Sequence, residues 1–349
     1  MIRVLIVDDS AAVRKVLTDE LSKFPDVEVV GTAVDPYVAR EKIVALEPDV
    51  VTLDVEMPRM DGLSFLAKLM KYHPMPVVVV SSLTQENSEP ALRALALGAI
   101  EVVPKPGSVY SVPDIARVLI RAIRAAATAR IGQPDPETAE ADAVVPERLP
   151  TQLRTTDKVL AIGASTGGTT AIETVLRGLP ATCPGTVIVQ HMPGKFTAAF
   201  AKRLDSVCPM EVREARDGDD VSTGTVLIAP SDVHMVLHRS GARYYVRLKG
   251  GPRVHYQRPS VDVLFHSVAQ SAGPNAVGVL LTGMGSDGAK GLLAMREQGA
   301  RTIAEAERTC VVFGMPREAI KLGAADEVVP LPRVAYRVMQ SLAEKMAAS

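Results

Sequence analysis

Residues 2–24 read IRVLIVDDSAAVRKVLTDELSKF. A six-residue run, apolar and mostly β-branched but for Arg3, stops at two aspartates, and a helix-period pattern begins at once. A short continuous apolar run bounded by polar residues suits a strand buried on both faces, which needs helices to cover it. The unit then repeats. VEVVGTA, VVTLDV, PVVVVSS and EVVPK are further strand candidates, PYVAREKIVAL is a helix between them, and ARVLIRAIRAAATAR closes the series. Strands alternating with helices predict a doubly wound parallel sheet over residues 1–124.

Beyond it, residues 131–156 read IGQPDPETAEADAVVPERLPTQLRTT, rich in Pro, Glu, Thr and Ala and without apolar periodicity. Residues 125–156 are therefore expected to hold the end of the last helix and a flexible linker. The alternation resumes from Lys158 with KVLAIGA, GTVIVQH, GTVLIAP, AVGVLLT and RTIAEA, and with helices such as GKFTAAFAKRLDSV and GLLAMREQGA between them. YYVRLKG looks like an antiparallel excursion. A second, larger α/β domain, Rossmann-like and mainly parallel, is expected over residues 157–349. Two domains also suit the length of 349 residues, at roughly 100–200 residues per domain.

Composition narrows the classes. Hydrophobic residues make up 47% and charged residues 23%, which excludes a largely disordered or fibrous chain. No apolar run approaches the ~18 residues of a membrane span, and the first apolar run reaches Asp8 and Asp9 too soon for a signal peptide. Cys183, Cys208 and Cys310 are too few and too scattered for a disulfide framework or a zinc cage, so a reducing cytoplasm is expected. The net charge of −1 hides an asymmetry: residues 1–124 carry 14 basic and 17 acidic side chains, whereas residues 158–349 carry 22 and 17. The basic excess suits an acidic protein partner but, with 4% aromatics, no nucleic acid.

The ends of the first five strands gather chemistry. Asp8 and Asp9 end the first, Asp54 the third, Ser81 and Ser82 the fourth, and Lys105 the fifth. Ligands of such sheets bind beyond the carboxyl ends of the strands. Three carboxylates there suit Mg²⁺, one of them can attack a phosphoryl group, and a Lys and a Ser can hold the added phosphate. Aspartates capping helices are the plainer reading of Asp8 and Asp9 alone. The whole set, with Met57-Pro58, Asp61-Gly62 and Lys105-Pro106, resembles the flavodoxin-like receiver domain of two-component response regulators. The resemblance implies phosphorylation of Asp54 by a histidine kinase. It also implies Mg²⁺ on Asp8, Asp9, Asp54 and the Glu56 backbone carbonyl, a switch at Ser81 and Lys105, and a cis Lys-Pro bond. The family usually places an aromatic three residues before the lysine; here that position is Val102.

In the second domain, KVLAIGA runs into GASTGGT, and Gly163 to Gly167 fits G-x-S-x-G, a sharp strand-to-helix turn presenting Ser165. A glycine-rich loop capping a helix or holding phosphate is an equal reading of that motif. TVIVQH ends at His191, and AVGVLLT leads into GMGSDG with Asp287. A Ser, a His and an Asp ending separate parallel strands can converge on one sheet edge as nucleophile, base and orienter. A competing reading takes residues 283–288 as a G-x-G-x-x-G dinucleotide fingerprint, with Glu305 as the acidic partner; that would make the chain a receiver-gated oxidoreductase. Asp287 facing a pyrophosphate argues against it. A third reading is a non-catalytic interaction protein. His234 and His238 alternate on a strand without a third ligand, and His255 and His266 lack metal-like spacing.

GASTGG, QHM, LIAPSDVHM, RPSVDVLF and LTGMGSDGAKGL, in this order behind a receiver, resemble the CheB family of chemotaxis protein-glutamate methylesterases. The resemblance implies Ser165 as nucleophile, His191 as acid/base and Asp287 as its orienter, with the backbone N–H groups of Thr166 and Met284 as an oxyanion hole. The implied substrates are glutamyl methyl esters, and also glutamines, on methyl-accepting chemoreceptors, with no cofactor for the esterase step, no nucleic acid and no membrane insertion. Both sets of site residues lie on loops at strand ends, and the 26 residues 131–156 are long enough for one domain to pack over the other, so the receiver is expected to restrain the esterase until Asp54 is phosphorylated. Many relatives carry a His directly before RPSVD; here Gln257 stands there, after His255 and Tyr256.

Overall fold

The computed structural model describes residues 1–57, 60–81, 88–105, 112–131, 157–192, 194 and 196–347. Pro58, Ser82, Pro106 and the linker residues 132–156 lie outside the described residues, and with them the expected cis Lys-Pro bond. The chain divides into two compact units, Met1–Gly132 and Gln133–Ser349.

In the first unit the strands are β1 (Ile2–Val7), β2 (Val27–Ala33), β3 (Val50–Asp54), β4 (Val77–Ser81) and β5 (Glu101–Pro104). They form one sheet in the order β2-β1-β3-β4-β5, every neighbour parallel. Every residue of β3 (VVTLD) and β4 (VVVVS) is buried, as central strands covered on both faces require. Helices α1 (Ala11–Leu21), α2 (Pro36–Leu46), α3 (Gly62–Tyr72) and α4 (Ser88–Ala96) make the crossovers, and α5 (Val112–Ala127) follows the last strand. Ser10, Asp35 and Asp61 cap α1, α2 and α3 through side-chain oxygens that accept first-turn N–H groups. The chain reverses its strand order between β1 and β3, which puts the ends of those two strands at the ligand-binding crevice of the fold.

The second unit carries a seven-stranded sheet, wholly parallel. Its strands are β6 (Val159–Ala164), β7 (Gly185–Gln190), β8 (Glu211–Glu214), β9 (Thr225–Ile228), β12 (Ala276–Leu280), β13 (Arg301–Glu305) and β14 (Glu327–Val329), in the order β14-β13-β12-β6-β7-β9-β8. The expected antiparallel excursion is a separate hairpin, β10 (His234–Ser240) with β11 (Arg243–Lys249). Helices are α6 (Gly168–Arg177), α7 (Phe196–Val207), α8 (Val261–Ala272), α9 (Ala289–Glu297), α10 (Met315–Lys321) and α11 (Leu331–Ala347). β8 and β14 carry no strand signal in the sequence. Both sit on sheet edges, are four and three residues long, and carry charged residues, so they lack the apolar run of a central strand. The order reverses between β6 and β12. Leu281 N–H donates to Gly163 O at 2.9 Å and Ser165 N–H to Thr282 O at 3.0 Å, so the pairing continues past both strand ends to the serine.

Candidate active site and phosphoacceptor pocket

In the first unit Asp54 ends β3, buried, with its Oδ2 2.6 Å from Lys105 Nζ. The same ammonium lies 3.2 Å from Asp8 Oδ2. Glu56 N–H donates to Asp54 Oδ1 at 3.1 Å. Burial pushes the Asp54 carboxyl up to about 6; the Lys105 ammonium opposes this and the Asp8 charge adds to it. Lys105 is pushed down by burial, but the two carboxylates outweigh that and hold the ammonium above its ordinary value. Asp8, Asp9 and Asp54 each offer an oxygen within 4.8 Å of the others, and Asp8 Oδ2 is buried without a hydrogen bond. An oxygen-only anionic cluster in which two carboxylates share a single ammonium fits a hard divalent cation such as Mg²⁺. Ser81 is buried at the end of β4, its carbonyl accepting Lys105 N–H at 2.9 Å, and Val102 is buried on β5. Asp61 Oδ1 accepts Ser64 N–H at 2.8 Å and so starts α3. A Cβ on Gly62 would sit 2.0 Å from Asp54 O, so the helix start can lie against the Asp54 peptide only with glycine there.

In the second unit Ser165 follows β6 and His191 follows β7. These ends are adjacent: Ala164 pairs with Gln190, and His191 N–H donates to Ala164 O at 3.1 Å. Asp287 comes from the loop after β12, and His191 Nε2 lies 2.8 Å from its Oδ2. The three expected residues therefore share one sheet edge. The His–Asp contact is formed, whereas no Ser165–His191 hydrogen bond is among the contacts of the described residues. His191 Nδ1 is buried without a partner.

Asp287 is held by far more than the histidine. Ser260 caps α8 (its Oγ accepts Val263 N–H) and donates that hydroxyl to Asp287 Oδ1 at 2.8 Å. Val261 N–H donates to Oδ2 at 2.9 Å and Asp262 N–H to Oδ1 at 3.0 Å. The carboxylate thus sits on the positive end of a helix. Burial alone pushes its pKa up, but the His191 contact, the Asp262 N–H and the Ser260 hydroxyl outweigh this and hold it below the ordinary value. An ionised carboxylate only accepts, so His191 donates from Nε2 and its lone pair is on Nδ1.

RPSVD thus has a structural role that its sequence context gave only in part: a Ser before an apolar helical run is a cap signal, but its reach to Asp287 is tertiary. His234 belongs to the same support. Its Nδ1 accepts Ser260 N–H at 3.2 Å and its Nε2 lies 2.9 Å from Pro252 O, leaving neither nitrogen for a metal. His255 Nε2 lies 3.0 Å from Asp262 Oδ2, and Asp262 Oδ1 accepts Gly291 N–H at 2.7 Å. The cluster His255, Asp262 and Asp287 is compact enough to suggest a cation site, but every carboxylate oxygen in it already accepts a hydrogen bond.

The glycines of residues 283–288 do not form a pyrophosphate cradle. Asp287 turns inward onto four donors. Glu305 is wholly buried, accepting Thr282 N–H at 2.8 Å and the Thr309 hydroxyl at 3.0 Å, and burial pushes it up to about 7. It has no oxygen left for a ribose. Gly283 instead packs against the serine: a Cβ there would lie 2.6 Å from Ser165 Cβ. That brings the 283–284 segment beside Ser165, and Thr282 Oγ1 donates to Thr166 O at 3.0 Å.

Residues 160–338 match the CheB methylesterase family, and residues 4–115 match the response regulator receiver domain. The protein-glutamate methylesterase/protein-glutamine glutaminase 2 of Syntrophus aciditrophicus is 55% identical over 97% of this chain and 98% of its own length. The corresponding enzyme 4 of Anaeromyxobacter dehalogenans is 54% identical over 98% and 96%. The crystal structure of the Thermotoga maritima CheB methylesterase catalytic domain superposes with a TM-score of 0.52 at 38% identity, covering 52% of this chain and 97% of that one. These matches leave the dinucleotide reading without support. With a parallel sheet that delivers Ser165, His191 and Asp287 to one edge, a receiver sheet ahead of it and relatives alike over nearly their whole length, this chain belongs to the CheB methylesterase family.

Proposed function

We propose that residues 157–349 are a serine hydrolase that releases methanol from γ-glutamyl methyl esters, and ammonia from glutamines, on methyl-accepting chemoreceptors. Residues 1–124 are its phosphorylated receiver, and residues 125–156 are the end of the last helix and the linker. The observation that carries the reading is the His191 ring, held by Asp287 at Nε2 and buried without a partner at Nδ1, on the strand end beside Ser165.

Ser165 Oγ attacks the ester carbonyl and its proton passes to His191 Nδ1. The charge arising on the ring is stabilised by Asp287, which stays ionised. The oxyanion takes hydrogen bonds from the backbone N–H groups of Thr166 and Met284. His191 then gives its proton to the departing methoxide, leaving a γ-glutamyl ester on Ser165. Water, deprotonated by His191, attacks that ester and frees glutamate and Ser165. An amide is attacked in the same way with ammonia leaving, more slowly because the leaving group is poorer.

At Asp54 a carboxylate oxygen attacks the phosphorus of a phosphohistidine on a kinase, and the P–N bond breaks. Asp8, Asp9, Asp54 and the Glu56 carbonyl are the residues that would hold Mg²⁺, which when bound shields the carboxylate from the incoming phosphoryl charge. Lys105 and the Ser81 hydroxyl bind the new phosphate oxygens. The phosphodonor is a chemotaxis-type histidine kinase, and the setting is the cytoplasm. No helix of the described residues is long and apolar enough to cross a membrane. The basic excess of residues 158–349 complements an acidic receptor surface.

The test is methanol release from methylated receptor, with and without a small phosphodonor and Mg²⁺. Release that rises with the phosphodonor supports the reading. No release under either condition, from protein whose Ser165 also resists a serine-directed phosphonate, would overturn it.

A further inference from the structure

Gln190 is the last residue of β7, buried, and its amide bridges the two peptides of the site. Its Nε2 donates one proton to Ser165 O at 2.8 Å and the other to His191 O at 3.0 Å. One nitrogen thus ties the peptide of the nucleophile to the peptide of the base. Ser165 O also accepts Gly168 N–H at 2.7 Å, so the carbonyl that closes the serine turn is doubly held. The space is tailored to the amide: a Cβ on Gly168 would lie 2.1 Å from Gln190 Oε1. That Oε1 is buried and has no hydrogen-bond partner. An unpaired buried carbonyl oxygen is unfavourable, so the amide's placement is explained by its two donor contacts rather than by full satisfaction of its own atoms.

We infer that Gln190 is a positioning residue for the esterase reaction, a clamp that fixes the Ser165 turn and the His191 segment in register so that proton transfer occurs when substrate arrives. The inference rests on Ser165 and His191 acting as nucleophile and base. It explains how a site whose Ser–His hydrogen bond is not yet formed keeps the two residues aligned. Methionine at 190 keeps the length and volume but donates nothing. Glutamate keeps the shape and, when ionised, turns two attractive contacts with carbonyl oxygens into repulsive ones.

The experiment measures methanol release and the rate of Ser165 labelling by a serine-directed phosphonate in full-length wild type, Gln190→Met, Gln190→Glu, His191→Ala and the Gln190→Met/His191→Ala pair. The fraction of folded protein is set by thermal unfolding. The clamp predicts that Gln190→Met lowers both kcat and the labelling rate by about 10–100-fold, the scale of a misplacement near 1 Å, with KM within about twofold. It predicts a larger fall for Gln190→Glu. It predicts little further loss when Gln190→Met is added to His191→Ala, because register with an absent base no longer matters. A Gln190→Met protein that labels and turns over like wild type overturns the clamp. So does a loss that multiplies unchanged onto His191→Ala, which would mark general damage to the fold. A wild-type protein that neither labels nor releases methanol overturns the hydrolase reading itself, and the clamp with it.

Discussion

In the Asp54 pocket two carboxylates share one ammonium: Lys105 Nζ lies 2.6 Å from Asp54 and 3.2 Å from Asp8, and Asp8 Oδ2 has no hydrogen bond. In the Ser165 pocket one carboxylate, Asp287, accepts from four donors. Both pockets lie where a parallel sheet reverses its strand order, and burial pushes both acids up, yet their partners leave them shifted in opposite directions. Asp54, short of donors, rises to about 6; Asp287, oversupplied, stays below its ordinary value. A carboxylate left under-satisfied is ready for a cation and a phosphoryl group. One that accepts from four donors stays a fixed negative charge beside its histidine.

The sharpest way to break this comparison is to disable each pocket in turn. Asp54→Asn should abolish Mg²⁺-dependent phosphate incorporation and leave basal methanol release intact. Ser165→Ala should remove about three decades or more of esterase activity and leave incorporation intact. Labelled phosphate retained by Asp54→Asn would mean that the acceptor lies elsewhere.

A smaller effect is expected from separating the units. A fragment starting near Thr156 should exceed the unphosphorylated full-length protein by about 5–150-fold, the range of a 1–3 kcal/mol coupling, and should ignore phosphodonors. Equal activities in matched assays, with folding verified by circular dichroism, would show that the receiver does not restrain the esterase.

Within the esterase pocket, Ser260→Ala deletes one of the four donors and the cap of α8. It should lower kcat by about 3–10-fold, on the order of the 1 kcal/mol of a hydrogen bond, and destabilise the fold by about 1 kcal/mol. An unchanged kcat together with a lowered melting midpoint would confine Ser260 to capping.

Glu305 gives a test that touches stability alone. Its folded pKa, about 7, stands above the ordinary 4.5. The folded state therefore holds this proton more tightly than the unfolded chain, and wild-type stability falls as pH rises from about 4.5 through about 7. Glu305→Gln carries no such titration. It should gain on wild type across that window, by up to about 3 kcal/mol above pH 8, and show no gain from this source below pH 4. Urea unfolding at pH 5 and pH 8 checks it; parallel pH dependences for the two proteins would mean that Glu305 is ionised throughout.

The two folds differ in how much of them the sequence exposed. IRVLIV, VVTLD and VVVVS announced themselves because central parallel strands are apolar on both faces. EVRE and EVV did not, because an edge strand answers to one neighbour and to solvent. Asp54, Lys105, Ser165, His191 and Asp287 were legible as chemistry-bearing residues directly after apolar runs. Gln190, Ser260, Asp262 and Glu305 were not legible in the roles they hold, although QHM, RPSVD and RTIAE carried them in plain view. A buried amide or hydroxyl has no periodicity of its own, and its meaning is the atom it reaches, 25 residues away for Gln190 and Ser165 and 27 for Ser260 and Asp287.

Local pattern settled what could be settled locally. Hydrophobic period fixed the alternation of strand and helix, and strand ends fixed which polar residues could meet at a sheet edge. What the residues do to one another required the third dimension. Only the tertiary structure put the start of α8 under Asp287 and left His191 Nδ1 bare. Only it folded Glu305 inward, away from any ribose, and set Gly62 and Gly283 against the peptide and side chain they crowd. The reason is range. Periodicity reports which face of an element is buried, whereas hydrogen-bond saturation, burial and the absence of a Cβ act at 2–4 Å between segments that sequence order keeps far apart.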